Sequence, residues 1–137
     1  HSGDLNFSFS GLKTAVLTLV REHGATPTDE FRANVARAFQ EAIVDVLVDR
    51  CTRAMTQLDV PRLAVAGGVS ANSRLRARLT AEVAARGGEI RFPPLALCTD
   101  NAAMIAAAAQ RRLSAGLPLD DVRATSRLPL GARPASA

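Results

Sequence analysis

Leu63-Ala64-Val65-Ala66-Gly67-Gly68-Val69-Ser70-Ala71-Asn72 is the stretch on which the fold turns. Four small or apolar residues without polar alternation read as a short strand buried on both faces. Gly67-Gly68 then turns the chain, and a helix is expected from about Asn72 to Arg86. Leu75, Leu79 and Val83 mark its inner face, and Gly87-Gly88 stops it. Glu89 to Phe92 follows as a second strand, closed by Pro93-Pro94. Strand, helix and strand joined by short links predict a parallel βαβ unit.

Outward from this unit the pattern is helical. Upstream, Thr26-Pro27-Thr28-Asp29 offers a capping Thr with Pro at the first helical position, and a long helix should run from there to about Leu58. Phe31, Val35, Phe39, Ile43, Val46, Leu47 and Met55 hold close to helical spacing along it. Earlier still, Phe7 and Phe9 alternate with Ser8 and Ser10 like a short strand. Ser10 can then cap a helix that ends at His23-Gly24. Downstream, an Ala-rich helix is expected from Asp100 to Ala115, stopped by Gly116; apolar on nearly every side, it should be buried. Residues 117–137, rich in proline and small residues, suggest a tail laid over the surface. Two strands are few for so many helices, and the missing strands are expected upstream of His1. The opening His1-Ser2-Gly3-Asp4 has no Met, as at an internal position of a longer protein or a trimmed end.

Composition bounds the function. The chain has 137 residues, 47% hydrophobic and 22% charged, ordinary for one globular domain. The formal charge is +4, which favours polyanions in general. Every basic residue except Lys13 is Arg, however, and they are scattered as solvated helix faces would scatter them. Cys51 and Cys98 form no Cys-x-x-Cys pair, so neither a zinc site nor a disulfide framework is implied, and two buried thiols are expected. No signal peptide or membrane-length apolar run is present, which fits a cytoplasmic location.

Three segments could carry chemistry. Gly67 and Gly68 before a helix let a ligand approach the backbone, and Asn72 offers both a donor and an acceptor; a plain turn with a capping Asn fits equally. In Cys98-Thr99-Asp100-Asn101 the carboxylate of Asp100 most simply caps a helix, or could ligate a metal. Phe7-Ser8-Phe9-Ser10-Gly11-Leu12-Lys13-Thr14 resembles a phosphate loop in composition but not in order, so a helix start beside a solvated Lys13 is preferred. His1 and His23 stand near no other ligand.

Together, in order and spacing, three segments resemble the TsaD family, which completes threonylcarbamoyladenosine on tRNA. They are Asp4-Leu5-Asn6-Phe7-Ser8-Phe9-Ser10-Gly11-Leu12-Lys13-Thr14, Leu63 through Ser73, and Cys98-Thr99-Asp100-Asn101-Ala102-Ala103-Met104-Ile105-Ala106. Phe31 through Phe39 also resembles it, and the likeness reaches about Leu130.

The resemblance implies an α/β fold: the C-terminal part of a ribonuclease-H-like lobe of the actin/Hsp70/sugar-kinase ATPase superfamily, mostly helical, with the whole of 1–137 being one lobe fragment. It implies that Asn72 contacts the nucleoside of a bound adenylate, that Gly67 and Gly68 let the nucleotide lie close, and that Asp100 completes a metal site. One divalent ion, iron or else zinc or magnesium, would be held together with His ligands. The family's His-x-x-x-His pair, its Gly-rich phosphate loop and the lobe's first strands are absent from this chain. The implied partners are tRNA, threonylcarbamoyl-adenylate or ATP/AMP, and companion proteins of the bacterial pathway, with no membrane. The implied reaction has the exocyclic amine of the adenosine beside the anticodon attack the threonylcarbamoyl carbonyl, with AMP leaving. The fragment alone should be inactive. A non-catalytic nucleotide-binding or partner-docking module, or a kinase- or hydrolase-like relative, is the alternative.

Overall fold

A computed structural model describes residues 5–24 and 26–117. Two compact units divide the chain, His1–Thr99 and Asp100–Ala137. Among the described residues the first unit holds α1 (Ser10–His23), α2 (Asp29–Leu58), β1 (Arg62–Ala64), α3 (Ser73–Ala85) and β2 (Glu89–Arg91), and the second holds α4 (Ala102–Ser114). Single turns of tighter helix at Gly68–Ala71 and Leu95–Leu97 follow the two strands.

The central unit is the expected parallel one. Arg62 pairs with Glu89, Leu63 with Ile90 and Ala64 with Arg91, and Val65 donates its backbone N–H to Arg91 O at 3.0 Å. Leu63 and Ile90 point to one side of this two-stranded sheet and join a core of Val44, Val48, Leu75 and Leu79. As expected, Leu75, Leu79 and Val83 are the buried residues of α3. An α/β arrangement is therefore present, mostly helical by length.

Element ends differ from expectation in instructive ways. Thr28, not Thr26, caps α2: its hydroxyl accepts the Phe31 N–H at 3.2 Å, so Pro27 precedes the helix instead of opening it. Phe7 and Phe9 form no strand, because no neighbouring chain pairs with them; Phe9 is the N-cap of α1. Ser10 is already helical, and its hydroxyl is 3.1 Å from that of Ser8. Gly24 does end α1, donating to Arg21 O. His23 stacks on Phe31 with ring centroids 3.5 Å apart, which ties the end of α1 to α2. Along α2 the buried apolar residues are Val44, Val48 and Met55; Phe31 and Val35 are only half-buried and Phe39 is exposed.

The thiols also part company. Cys98 is buried as expected, but Cys51 is half-buried, and partial burial pushes its thiol pKa up. No residue of α4 is buried: Met104, Ile105 and Leu113 are exposed, so alanine content alone did not bury this helix. The expected surface tail lies, Leu117 apart, outside the described residues. Among these residues no helix is long and apolar enough to cross a membrane.

Across the α2–α3 seam runs an ion-pair ladder. Arg74 grips Glu41 with both Nε and Nη2, at 2.7 and 3.0 Å, while Arg78 reaches Glu41 and Asp45. The hydrogen bonds from Arg74 hold the Glu41 carboxyl below the usual glutamate range and push the Arg74 guanidinium up. Folding thus gains from ionised Glu41 above its unfolded pKa of about 4.3, and the gain disappears as pH falls through its lower folded pKa. In urea melts of Glu41→Gln and the parent chain, the stability gap should be widest near neutrality and shrink below about pH 4. A gap that stays constant from neutral to acid would overturn this account.

Candidate nucleotide cleft

Between α2 and the turn after β1 lies a cleft of about 450 Å3, lined by Phe39, Gln40, Ile43, Val44, Leu47, Gly68, Val69, Asn72 and Leu75. It opens at the C-terminal edge of the parallel strands, where α/β sheets commonly bind ligands. Its walls are largely apolar, and its polar groups come from the two amides, Gln40 and Asn72.

Asn72 is the N-cap of α3. Its Oδ1 accepts the Leu75 N–H at 2.9 Å, and its Nδ2 donates to Gln40 Oε1 at 3.1 Å. The capping reading of Asn72 is therefore correct, and it is compatible with ligand contact. One N–H of Asn72 and both N–H groups of Gln40 have no partner among the described residues, so they can still donate into the cleft. Spacing gave no sign of Gln40: it sits 32 residues from Asn72 on another helix.

The two glycines have different reasons to be there. Gly67 has φ 87°, a backbone state that side-chain-bearing residues rarely adopt. Gly68 has no positive φ, and a Cβ added to it would meet nothing within 4 Å. Neither backbone nor packing demands glycine at 68. Gly68 is among the residues that line the cleft.

Asp100 opens the second unit. The cap of α4 is its neighbour Asn101, whose Oδ1 accepts the Met104 N–H at 3.0 Å. The expectation that Asp100 caps this helix is thus corrected: Asn101 has extended φ and ψ and its amide oxygen lies over the first turn. Asp100 is exposed. Among the described residues no three His, Cys, Asp or Glu side chains converge as metal ligands. Asp100 would be a lone ligand, and the described residues do not build a metal centre by themselves.

Sequence reading also missed Arg76. From α3, its Nε donates to Ser70 O at 2.6 Å and its Nη2 to Pro93 O at 2.7 Å and Cys98 Sγ at 3.2 Å. Its guanidinium lies 4.7 Å from the Phe92 ring centroid.

Comparison with known proteins shows the family. The family model for TsaD, tRNA N6-adenosine threonylcarbamoyltransferase, matches residues 1–107. Proteins of that name are similar to the chain: 49% identity over 138 residues in Chromobacterium violaceum (98% of this chain, 40% of the relative), and 56% over 119 residues in Bordetella petrii (85% and 34%). A third, from Burkholderia ambifaria, is 53% identical over 118 residues (82% and 34%). The chain thus spans two-fifths or less of the length of these curated relatives. With the family model covering more than half of its residues, this chain belongs to the tRNA N6-adenosine threonylcarbamoyltransferase family.

Proposed function

We propose that a family-length protein containing this chain moves a threonylcarbamoyl group from threonylcarbamoyl-adenylate to the exocyclic amine of the tRNA adenosine beside the anticodon. The chain itself would be part of a ribonuclease-H-like lobe, and its cleft would hold the nucleoside end of the adenylate. Gly68 is the observation that carries the reading: no internal contact or backbone angle requires glycine where the cleft opens.

In this arrangement the purine and ribose lie against Phe39, Val69 and the Gly68 backbone, and the free amide hydrogens of Asn72 and Gln40 point at their acceptors. The amine is a weak nucleophile, so the rate depends on holding adenylate and base in line; these residues act by orientation. As the amine attacks the carbonyl carbon, the acyl–phosphate bond breaks, the attacking nitrogen gives up a proton and AMP departs. A bound divalent metal would stabilise charge on the phosphate or carbonyl oxygens, with Asp100 as the ligand from this chain. Its other ligands would come from beyond the described residues. Companion proteins of the pathway and tRNA would be the partners of the whole enzyme.

Titrating AMP into the chain tests the cleft. Binding should be saturable and localised by amide shifts to residues 68–75 and 39–47. Gly68→Ala should unfold within about 0.5 kcal/mol of the parent, yet bind AMP about tenfold more weakly, a loss of about 1.4 kcal/mol. Equal affinity in the two would remove Gly68 from the site. For Asp100, alanine substitution in a family-length enzyme should abolish tRNA modification while leaving thermal unfolding unchanged. Normal turnover in that variant would remove the proposed role.

A further inference from the structure

Two loops leave the C-terminal edge of the sheet. One runs from Gly67 to Asn72 after β1, and the other from Phe92 to Cys98 after β2. Only the first lines the cleft. We infer that Arg76 is a positioning residue that couples these loops, so that the shape of the cleft depends on a segment that does not line it.

The geometry is that of a fork with prongs on both loops. Nε holds the Ser70 carbonyl at 2.6 Å, inside the cleft loop. Nη2 holds the Pro93 carbonyl at 2.7 Å and the Cys98 sulfur at 3.2 Å, in the other. The Cys98 thiol in turn lies 3.5 Å from Pro94 O and is buried, 3% exposed, so that loop closes over its own anchor. The side chain also lies over Phe92, the residue that leads out of β2.

Two further observations separate this from a surface arginine that happens to find acceptors. No carboxylate pairs with Arg76 among the described residues, whereas Arg74 and Arg78 on the same helix pair with Glu41 and Asp45. Its charge-assisted bonds are therefore spent entirely on neutral groups of the loops, where a planar fork can hold two directions at once. In addition, Ser70 is 1% exposed, and its buried hydroxyl has no hydrogen-bond partner among the described residues. Burying an unpaired hydroxyl opposes this loop conformation. A short bond from Arg76 to the carbonyl of the same residue offsets that opposition.

The consequence for ligand binding rests on the reading of the cleft as a nucleotide site, but the coupling itself does not. Arg76→Met keeps an aliphatic stem over Phe92 and removes every donor; Arg76→Lys keeps the charge and loses the fork. Amide exchange in the chain without ligand decides the coupling. Ser70 and Asn72 in one loop, and Leu97 and Cys98 in the other, each donate a turn hydrogen bond. In Arg76→Met all four should exchange at least tenfold faster, while the amides of Leu79 and Val83 in α3 keep their protection. Arg76→Lys should fall between, and carries the same comparison if the Met variant does not fold. Acceleration of one loop alone, or of neither, would overturn the coupling.

AMP titration then separates the two ideas. A tenfold or greater rise in Kd for Arg76→Met, with Arg76→Lys between, supports transmission from one loop to the other. A parent chain that binds AMP beside a Met variant within twofold of it overturns the positioning role and leaves the nucleotide site standing. If the parent does not bind AMP while the four amides still respond together, the nucleotide reading fails and the coupling holds.

Discussion

Leu79→Ala should cost about 3 kcal/mol of folding stability, raising the unfolded fraction by about a hundredfold. Leu79 is 1% exposed and packs with Val44, Val48 and Leu75 in the core between α2 and α3. Removing its branched end loses the burial of those atoms and leaves a hole that surrounding helices fill only in part. Urea unfolding followed by circular dichroism measures the shift. Leu58→Ala is the control, since Leu58 is 67% exposed and its truncation should change stability by no more than about 0.5 kcal/mol. A shift below about 1 kcal/mol for Leu79→Ala would mean that this core tolerates collapse, and that stability resides elsewhere.

Gly88→Val should be comparably damaging for the opposite reason, too many atoms. A Cβ at residue 88 would lie 2.7 Å from the Pro61 carbonyl oxygen, 2.9 Å from Val83 Cγ1 and 3.2 Å from Met55 Cε. The Pro61 carbonyl is also the acceptor for the Glu89 N–H at 2.8 Å, the bond that starts the pairing of β1 with β2. An added side chain therefore pushes on the sheet at its first rung, and overpacking of this kind costs about 1–3 kcal/mol. The branched valine should fall at or above the top of that range. Gly87→Ala makes a useful contrast: its neighbourhood is open, but φ is 68°, so any loss there is backbone strain of about 1 kcal/mol. Thermal unfolding in which Gly88→Val matched the parent would contradict the packing account.

How far the sequence could be read depends on the range of the interaction concerned. The βαβ unit was legible because Leu75, Leu79 and Val83 recur at helical spacing and because glycines and prolines bracket the strands. The end of α2 at Leu58 was legible for similar local reasons. The caps at Thr28 and Asn101 were each misplaced, because neighbouring residues could serve in both cases and only the final backbone angles choose between them. Val44 and Val48 were missed because α2 is apolar on more than one stripe, and nothing local says which stripe will meet α3. At the cleft, Gly67, Gly68 and Asn72 were visible as a segment, whereas Gln40 and Arg76 were invisible. Their partners lie 32 and up to 22 residues away, and an amide or arginine on a helix has no local pattern that names a distant acceptor. Asp100 was visible as a residue, but its role was not, since a carboxylate at a helix start suits a cap and a ligand alike.

The length of α2 has a mechanical consequence. Its 30 residues make a rod of about 45 Å at the usual rise per residue. Every buried residue on it lies between Val44 and Met55, so the rod is clamped over its second half and overhangs with its first, to which α1 is attached. A beam held this way converts a small bend at the clamp into a large sweep at the tip. Glu41, Asp45 and their arginine partners stand where the overhang begins. Force applied to α1 would thus be delivered first to the mouth of the cleft beside Gln40, and only afterwards to the core.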